Sequence, residues 1–531
     1  MDDDDEILSS PDVYYEDDVL GSESDYDNID CENIPQLSLT TEADNCQVTT
    51  QTACLPNQTT QPSPPHFPPN QSHLEVLKSK FNHNEFRAKQ WKIISVILDY
   101  LNSSRDPSKI IDQFFIAPSG FGKSICYQFV PVYTNSLALV ISPLKSLMLD
   151  QFRLMTESGI SAVILSPTSI KSGKTLARLF NSEFNIAYIT PELCINRGQE
   201  FILDLHSKVR ICLVAIDEAH CVSCWGHDFR PKYGRLSLLR EWLSDVPFLA
   251  LTATAGNFVT KDIIQSLSLK NTKLHRIKLN RPNLYFEVHN KQGIDHDMKK
   301  LLRNANSPSL PEKYSFGGPC IVYCLTRDLT EYYCKHLKNL GVKCDSYHAG
   351  MNDRDRKETY DKFVRGEIEC IVATVAFGMG IDKPDVRIII HYGAPKDLES
   401  YMQEAGRAGR DCSPSRCIIF YRSSDFRLIN RILVSKTRKQ SPAYIQHCSN
   451  LVKKVQSFLT SNECRRKQLL ANLDEELPVV SNPSNDCCDI CSSCCRSILK
   501  RQHSGNEVDL FSINQVTEDT DGSSSSKKKK V

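Results

Sequence analysis

From about residue 74 onward, short apolar runs alternate with longer stretches in which apolar side chains recur every three or four positions. The runs at 112–117, 137–142, 162–165, 186–189, 211–216 and 247–251 are too short for helices and are rich in β-branched and aromatic residues, so they predict strands. Helical stretches of ten or more residues separate them. Continuous apolar strands alternating with helices predict an α/β fold, a parallel sheet covered on both faces. A second series at 320–323, 344–347, 370–374, 388–391 and 417–421 predicts a second sheet of the same kind. The junction falls near 279–281, and 304–318, with two Pro and two Gly, reads as a loop. Beyond 425 the pattern turns helical, then cysteine-rich, then polar. Residues 1–72, rich in Asp, Ser, Thr, Gln and Pro, show neither period. They hold too little apolar surface to offset the entropy of ordering, and disorder is expected there. The expected plan is an acidic disordered tail over 1–72, a first lobe over 73–280, a second over 281–424, a helical cysteine-bearing subdomain over 425–500 and a polar tail over 501–531.

A length of 531 residues permits two or three domains with ordinary cores. The formal net charge of zero conceals a division. Residues 1–72 carry 16 Asp and Glu and no Lys or Arg, which leaves 64 basic against 48 acidic side chains in the rest. A basic body with an acidic tail suits a nucleic-acid binder whose tail competes for the basic face or meets protein partners; a merely solvated tail is the alternative. The start of the chain has no charged segment followed by an apolar one, and nowhere do 18 apolar residues run together. An intracellular, soluble chain with reduced thiols and no membrane partner is expected, despite 22 Cys. Cys212, Cys320, Cys370 and Cys417 sit singly in apolar runs and read as small core residues.

Ala117-Pro118-Ser119-Gly120-Phe121-Gly122-Lys123-Ser124 follows a predicted strand and precedes a predicted helix. It fits a phosphate-binding loop with Ala in place of the first Gly. Backbone N–H groups around Ser119, Gly120, Phe121 and Gly122 would wrap phosphates, Lys123 would reach the β and γ phosphates, and Ser124 would meet magnesium. About 95 residues on, the apolar run 211–216 ends in Asp217-Glu218-Ala219-His220. One carboxylate there suits the magnesium of a nucleotide and the other suits polarising an attacking water. Ser223, Trp225, His227, Phe229 and Arg230 come next, and rings interleaved with a cation suit a single-stranded nucleic acid. In the second series, Gln403-Glu404-Ala405-Gly406-Arg407-Ala408-Gly409-Arg410 places two arginines three apart, a spacing suited to reaching a γ-phosphate across a cleft. Near the C-terminus, Cys464, Cys487, Cys488, Cys491, Cys494 and Cys495 offer a tight C-x-x-C with a remote partner, as a closed tetrahedral zinc site requires.

These motifs together resemble the RecQ family of DNA helicases, in superfamily 2, from about residue 81 to 491. Further segments carry the resemblance: Phe81 to Gln90, Ser142-Pro143-Leu144, Thr190-Pro191-Glu192, Leu251-Thr252-Ala253-Thr254-Ala255, Tyr347-His348-Ala349-Gly350 and Phe377-Gly378-Met379-Gly380. The run Ile390-His391-Tyr392-Gly393-Ala394-Pro395 is most similar to the Werner-type branch. The resemblance implies two RecA-like lobes with ATP in the cleft between them. It also implies adenine held through Gln90, with Arg87 and His83 beside it, and a loop over Ser223 to Arg230 that couples DNA to His220 and the carboxylates. Gln403, Arg407 and Arg410 would act from the second lobe, and Cys464, Cys488 and Cys491 would bind zinc with Cys487 or Cys494 as fourth ligand. Asn82 and Cys412 stand where the family commonly has Gly.

The implied activity is ATP-dependent 3′→5′ DNA translocation and strand separation at single strands, forks and other branched structures, in repair, recombination and replication. ATP, Mg²⁺ and Zn²⁺ are the implied cofactors. The lysines at 527–530 read as a nuclear localisation signal or as a solvated tail, and a nuclear setting is expected. Relatives generally continue into a winged-helix domain, whereas 36 residues follow Cys495, so unwinding is expected to be weaker than hydrolysis. Two alternatives stand beside this reading: an RNA helicase, and a truncated isoform that binds or anneals DNA with little unwinding.

Overall fold

A computed structural model describes residues 67–103, 105–171, 173–223, 232–304, 314–378, 383–437, 442–476 and 487–492. Residues 1–66, the polar tail and the segment 224–231 fall outside that set; at 67–72, where disorder was expected, the chain is ordered, because Asn70 caps a helix that begins at Gln71.

Two parallel sheets form the body. The first contains β1 (Gln113–Ile116), β2 (Leu137–Ile141), β3 (Ala162–Ile164), β4 (Ile186–Ile189), β5 (Ile211–Ile216), β6 (Phe248–Thr252) and β7 (Lys273–Arg276) in the order β3-β4-β2-β5-β6-β1-β7. Strand β1 shows why the apolar runs are continuous. Phe114 and Ile116 enter one core layer while Phe115 enters the other, so no side chain faces water. The second sheet contains β8 (Leu284–Asn290), then β11 (Cys320–Tyr323), β12 (Cys344–Tyr347), β13 (Cys370–Ala373), β14 (Ile388–Tyr392) and β15 (Ser415–Tyr421). Its order is β12-β13-β11-β14-β15-β8. Between β8 and β11, β9 (Arg303–Asn304) pairs antiparallel with β10 (Tyr314–Ser315). The ends of the segment read as a loop therefore form a short hairpin.

The apolar pattern missed β7 and β8, and both are sheet edges. An edge strand is half-solvated, so Lys-Leu-His-Arg and Leu-Tyr-Phe-Glu-Val-His-Asn lack the unbroken apolar run that marks a central strand. Among the described residues, the helices Ser423–Thr437, Pro442–Thr460 and Arg465–Ala471 follow the second sheet. The last of them joins the two bodies. Leu470 and Leu473 belong to the core of the first sheet, while Leu469, Phe458 and Cys488 belong to that of the second. Among the described residues, no helix is long and apolar enough to cross a membrane.

Candidate nucleotide cleft and cysteine centre

The loop after β1 is held in shape from several sides. Gly120 and Gly122 take φ of +78° and +89°, which a side chain would oppose. The Phe121 ring meets Phe115 edge-on at 5.9 Å between centroids. Arg87 donates to Gly120 O at 3.1 Å and Phe121 O at 2.9 Å, and Gln90 Nε2 donates to Gly122 O at 2.8 Å. Gln90 Oε1 in turn accepts from Arg87 N at 2.7 Å. Arg87 and Gln90 thus brace the loop itself, with one donor and one acceptor of the carboxamide already engaged. His83 is exposed and follows the helix Gln71–Phe81, which ends at Asn82 with φ +53°. That left-handed cap is where glycine is favoured and asparagine tolerated, which accounts for Asn82. Ser119 borders a cavity of about 40 Å³ shared with Thr254, Arg281, Gln403 and Gly406. Ser124 starts the helix Ile125–Thr134.

Lys123 Nζ donates to Ala117 O at 3.0 Å and Pro118 O at 3.4 Å. Loss of hydration lowers its pKa, and the Glu218 and Asp217 carboxylates oppose that shift. Asp217 follows β5, and its Oδ1 accepts from Glu218 N at 3.0 Å. Burial, then the neighbouring Glu218 charge, pushes its pKa up to about 7, against the pull of Lys123. Glu218 has φ +48°, an uncommon conformation for a residue with a side chain, of the kind found at functional sites. Its Oε2 lies 3.4 Å from His220 Nδ1, which also meets Thr252 Oγ1 at 2.9 Å. This links the carboxylates to the Thr252-Ala253-Thr254 turn after β6. Ser223 is buried, with its N–H on His220 O at 3.3 Å. Trp225, His227, Phe229 and Arg230 lie outside the described residues.

The second lobe supplies the far wall. Arg410 stands against the phosphate loop, so a Cβ built on Gly120 would meet its Cδ at 3.2 Å, and its charge acts on Lys123. Arg407 is buried deeper in its own lobe, where its guanidinium lies 3.5 Å from any Cβ on Gly378. The two arginines expected to act alike therefore stand in different surroundings. Gln403 is buried on the helix Leu398–Ala405, and its neighbour Glu404 meets His391 at 2.7 Å. Sequence reading passed over Arg281, which donates to Gly406 O at 2.9 Å, Ala408 O at 2.9 Å and Gly409 O. Asn283 adds bonds to Gly409 O and Ser413 O at 2.9 and 3.0 Å. The available signal was an Arg-Pro-Asn run in a connector, where a buried charge needs acceptors.

In the C-terminal region the sulfurs of Cys464, Cys487, Cys488 and Cys491 lie within 4.8 Å of one another. Cys487 thus joins the other three; Cys494 lies outside the described residues. Hydrogen bonds from Cys464 and Cys487 push the Cys488 thiol far down, while that from Cys464 and the further one from Cys488 push Cys487 up. Four soft sulfur donors gathered this closely fit a closed tetrahedral thiolate site. Arg466 Nε donates to Cys487 Sγ at 3.4 Å, a bond of the kind that orients a ligand from behind.

Residues 87–262 match the family described as DEAD/DEAH box helicase, and 298–412 match the helicase conserved C-terminal domain. The bifunctional 3'-5' exonuclease/ATP-dependent helicase WRN of Mus musculus is 39% identical over 431 residues, which cover 80% of this chain and 29% of that protein. The ATP-dependent DNA helicase RecQ of Haemophilus influenzae is 36% identical over 420 residues, covering 79% and 63%. The Mycobacterium smegmatis helicase Lhr, solved with ssDNA and AMP-PNP, shares the fold with a TM-score of 0.51 and 15% identity, covering 74% of this chain and 58% of its own. The chain spans less than two thirds of the length of each of these proteins. Two helicase domains in succession, with this identity across about four fifths of the chain, make it a member of the RecQ family of helicases.

Proposed function

We propose that this chain is an ATP-dependent 3′→5′ DNA helicase of RecQ type, which couples nucleotide hydrolysis to movement on single-stranded DNA and to strand separation. The observation that carries the reading is the contact of Arg410, from the second lobe, with Gly120 of the phosphate loop in the first. A hydrolytic site assembled from two lobes converts the state of the nucleotide into their relative position. Lys123 and the backbone around Gly120 and Gly122 receive the phosphates, Glu218 orients the attacking water, and Arg410 stabilises charge on the departing phosphoryl group. Ser124 and Asp217 would hold the accompanying magnesium, which neutralises phosphate charge when bound. Release of Gln90 from Gly122 O frees its carboxamide for the adenine edge.

The four-cysteine cluster is read as a structural zinc site, in which Cys464, Cys487, Cys488 and Cys491 would hold the ion and fix the last helix against both lobes. Branched and single-stranded DNA in a nuclear setting is the proposed working context, and repair, recombination and replication are its proposed uses. The domain limits at 72, 280, 424 and 500 belong to the same proposal. The test is ATP turnover by the full chain alone, with single-stranded DNA and with RNA, together with unwinding of a labelled fork. Stimulation by DNA well above that by RNA, with fork opening, is expected. Equal stimulation by RNA overturns the DNA assignment. Turnover without fork opening leaves a translocating or annealing ATPase and overturns the helicase step.

A further inference from the structure

The loop that carries Arg407 and Arg410 follows the helix Leu398–Ala405, whose Met402, Glu404 and Ala405 carbonyls accept from the N–H groups of Gly406, Arg407 and Ala408, which leaves the Gly406, Ala408 and Gly409 carbonyls of the loop to other donors. Here a cation from elsewhere in the chain satisfies them. Arg281 spreads its guanidinium over the carbonyls of Gly406, Ala408 and Gly409, which flank Arg407 and end one residue before Arg410. Gly409 has φ +52°, and a Cβ there would lie 2.5 Å from Asn283 Nδ2 and 2.7 Å from Ser413 O. The loop has no slack at that point. Arg281 is itself gripped from behind. Arg466 Nη1 donates to Arg281 O at 2.5 Å and to Asn280 Oδ1 at 3.0 Å, and Nη2 donates to Leu284 O. The same guanidinium reaches the cysteine turn through Cys487 Sγ at 3.4 Å and Cys487 O at 3.5 Å.

We propose that Arg281 and Arg466 form a positioning relay, through which the cysteine turn sets where Arg410 stands against the phosphate loop. The relay rests on the reading of the cleft as an ATP site. Both members are forks of several planar donors, each bond fixing a separate backbone oxygen, and a lysine head cannot reproduce that geometry. Neither touches the phosphate loop by a hydrogen bond, so their effect falls on the chemical step and not on nucleotide capture. A formed cysteine turn becomes a condition for fast hydrolysis, whereas nucleotide binding depends on first-lobe contacts.

The test uses the full chain with Arg281→Ala, Arg281→Lys, Arg466→Lys and the double lysine variant. The readouts are kcat and KM for ATP with saturating single-stranded DNA, and affinity for ADP with and without aluminium fluoride. Arg281→Ala is expected to lower kcat about 10²-fold while KM and ADP affinity stay within about threefold. The extra affinity that aluminium fluoride confers on ADP should vanish with it. The lysine variants should show the same split to a smaller degree, with the double no worse than the stronger single, because both act on one placement. If Arg281→Ala does not fold, Arg281→Lys decides: wild-type kcat in that variant overturns the relay. A parallel loss of kcat, KM and ADP affinity also overturns it, since that marks general structural damage. Additive effects of the two lysines overturn the link between them. In each of these cases wild-type turnover persists, which separates failure of the relay from failure of the ATP site; a wild-type chain without turnover sinks both.

Discussion

The two lobes hold the loops that meet across the cleft by different means. In the first, Arg87, Gln90 and Phe115 fix the loop from within the same lobe, over sequence separations of 34 residues or fewer. In the second, the arginine loop is held by Arg281 and Asn283, some 125 residues earlier, and behind Arg281 by Arg466 beside the cysteine cluster. The first lobe braces its loop directly, whereas the second braces its loop through Arg281 and Asn283, of which Arg281 is held in turn by Arg466 from outside the lobe. Damage near the C-terminus should therefore reach the chemistry while sparing nucleotide capture, and damage in the first lobe should strike capture directly.

The largest effect that bears on this contrast is expected from Lys123→Ala. Turnover should fall by about 10³-fold or more, with single-stranded DNA binding by fluorescence anisotropy retained. Substantial residual hydrolysis would remove the phosphate-loop reading. Next comes Cys488→Ser. Bound zinc by elemental analysis should drop from one per chain to none, and the melting temperature should fall by about 10 °C or more. At a temperature where the variant is still folded, kcat should drop more than KM rises. A larger change in KM would erase the contrast between the lobes. A smaller effect is expected from Gln90→Ala, which should raise KM for ATP about tenfold with zinc content unchanged, measured by initial rates.

The smallest effect concerns the junction. Burial, with Asp397 beside it, pushes Glu399 from 4.5 up to about 7, against the pull of Lys454 and Asn472. For a carboxyl raised on folding, the folded state binds the extra proton. Its contribution is best below about pH 4.5 and declines as pH rises through about 7. Glu399→Gln removes that decline. Urea melts should show the variant gaining about 1 kcal/mol or more on the wild type between pH 5 and pH 8. A constant difference across that range would show that Glu399 keeps an ordinary pKa.

The contiguous motifs were legible in the sequence because each serves a local backbone demand. Gly120, Gly122 and Lys123 must be neighbours to wrap a phosphate, and Asp217 and Glu218 must end a buried strand to face it. The central strands were legible for the same kind of reason, since burial on both faces leaves an unbroken apolar run. Strands β7 and β8 were not, because charged and polar side chains interrupt their apolar runs. Arg281 carried only the weak signal of an Arg-Pro-Asn run. A charged residue in a connector looks solvated until the fold brings Gly406, Ala408 and Gly409 to it.

By itself, then, the sequence determined the family and the two-sheet plan and marked the residues proposed for nucleotide and metal. Those features are written in short windows where residue type and spacing are the chemistry. Only the tertiary structure brought Arg410 against the phosphate loop, gathered Cys487 with Cys464, Cys488 and Cys491, and set Gln90 to brace the loop. Each of these is a contact between segments well apart in the chain, which no local pattern encodes.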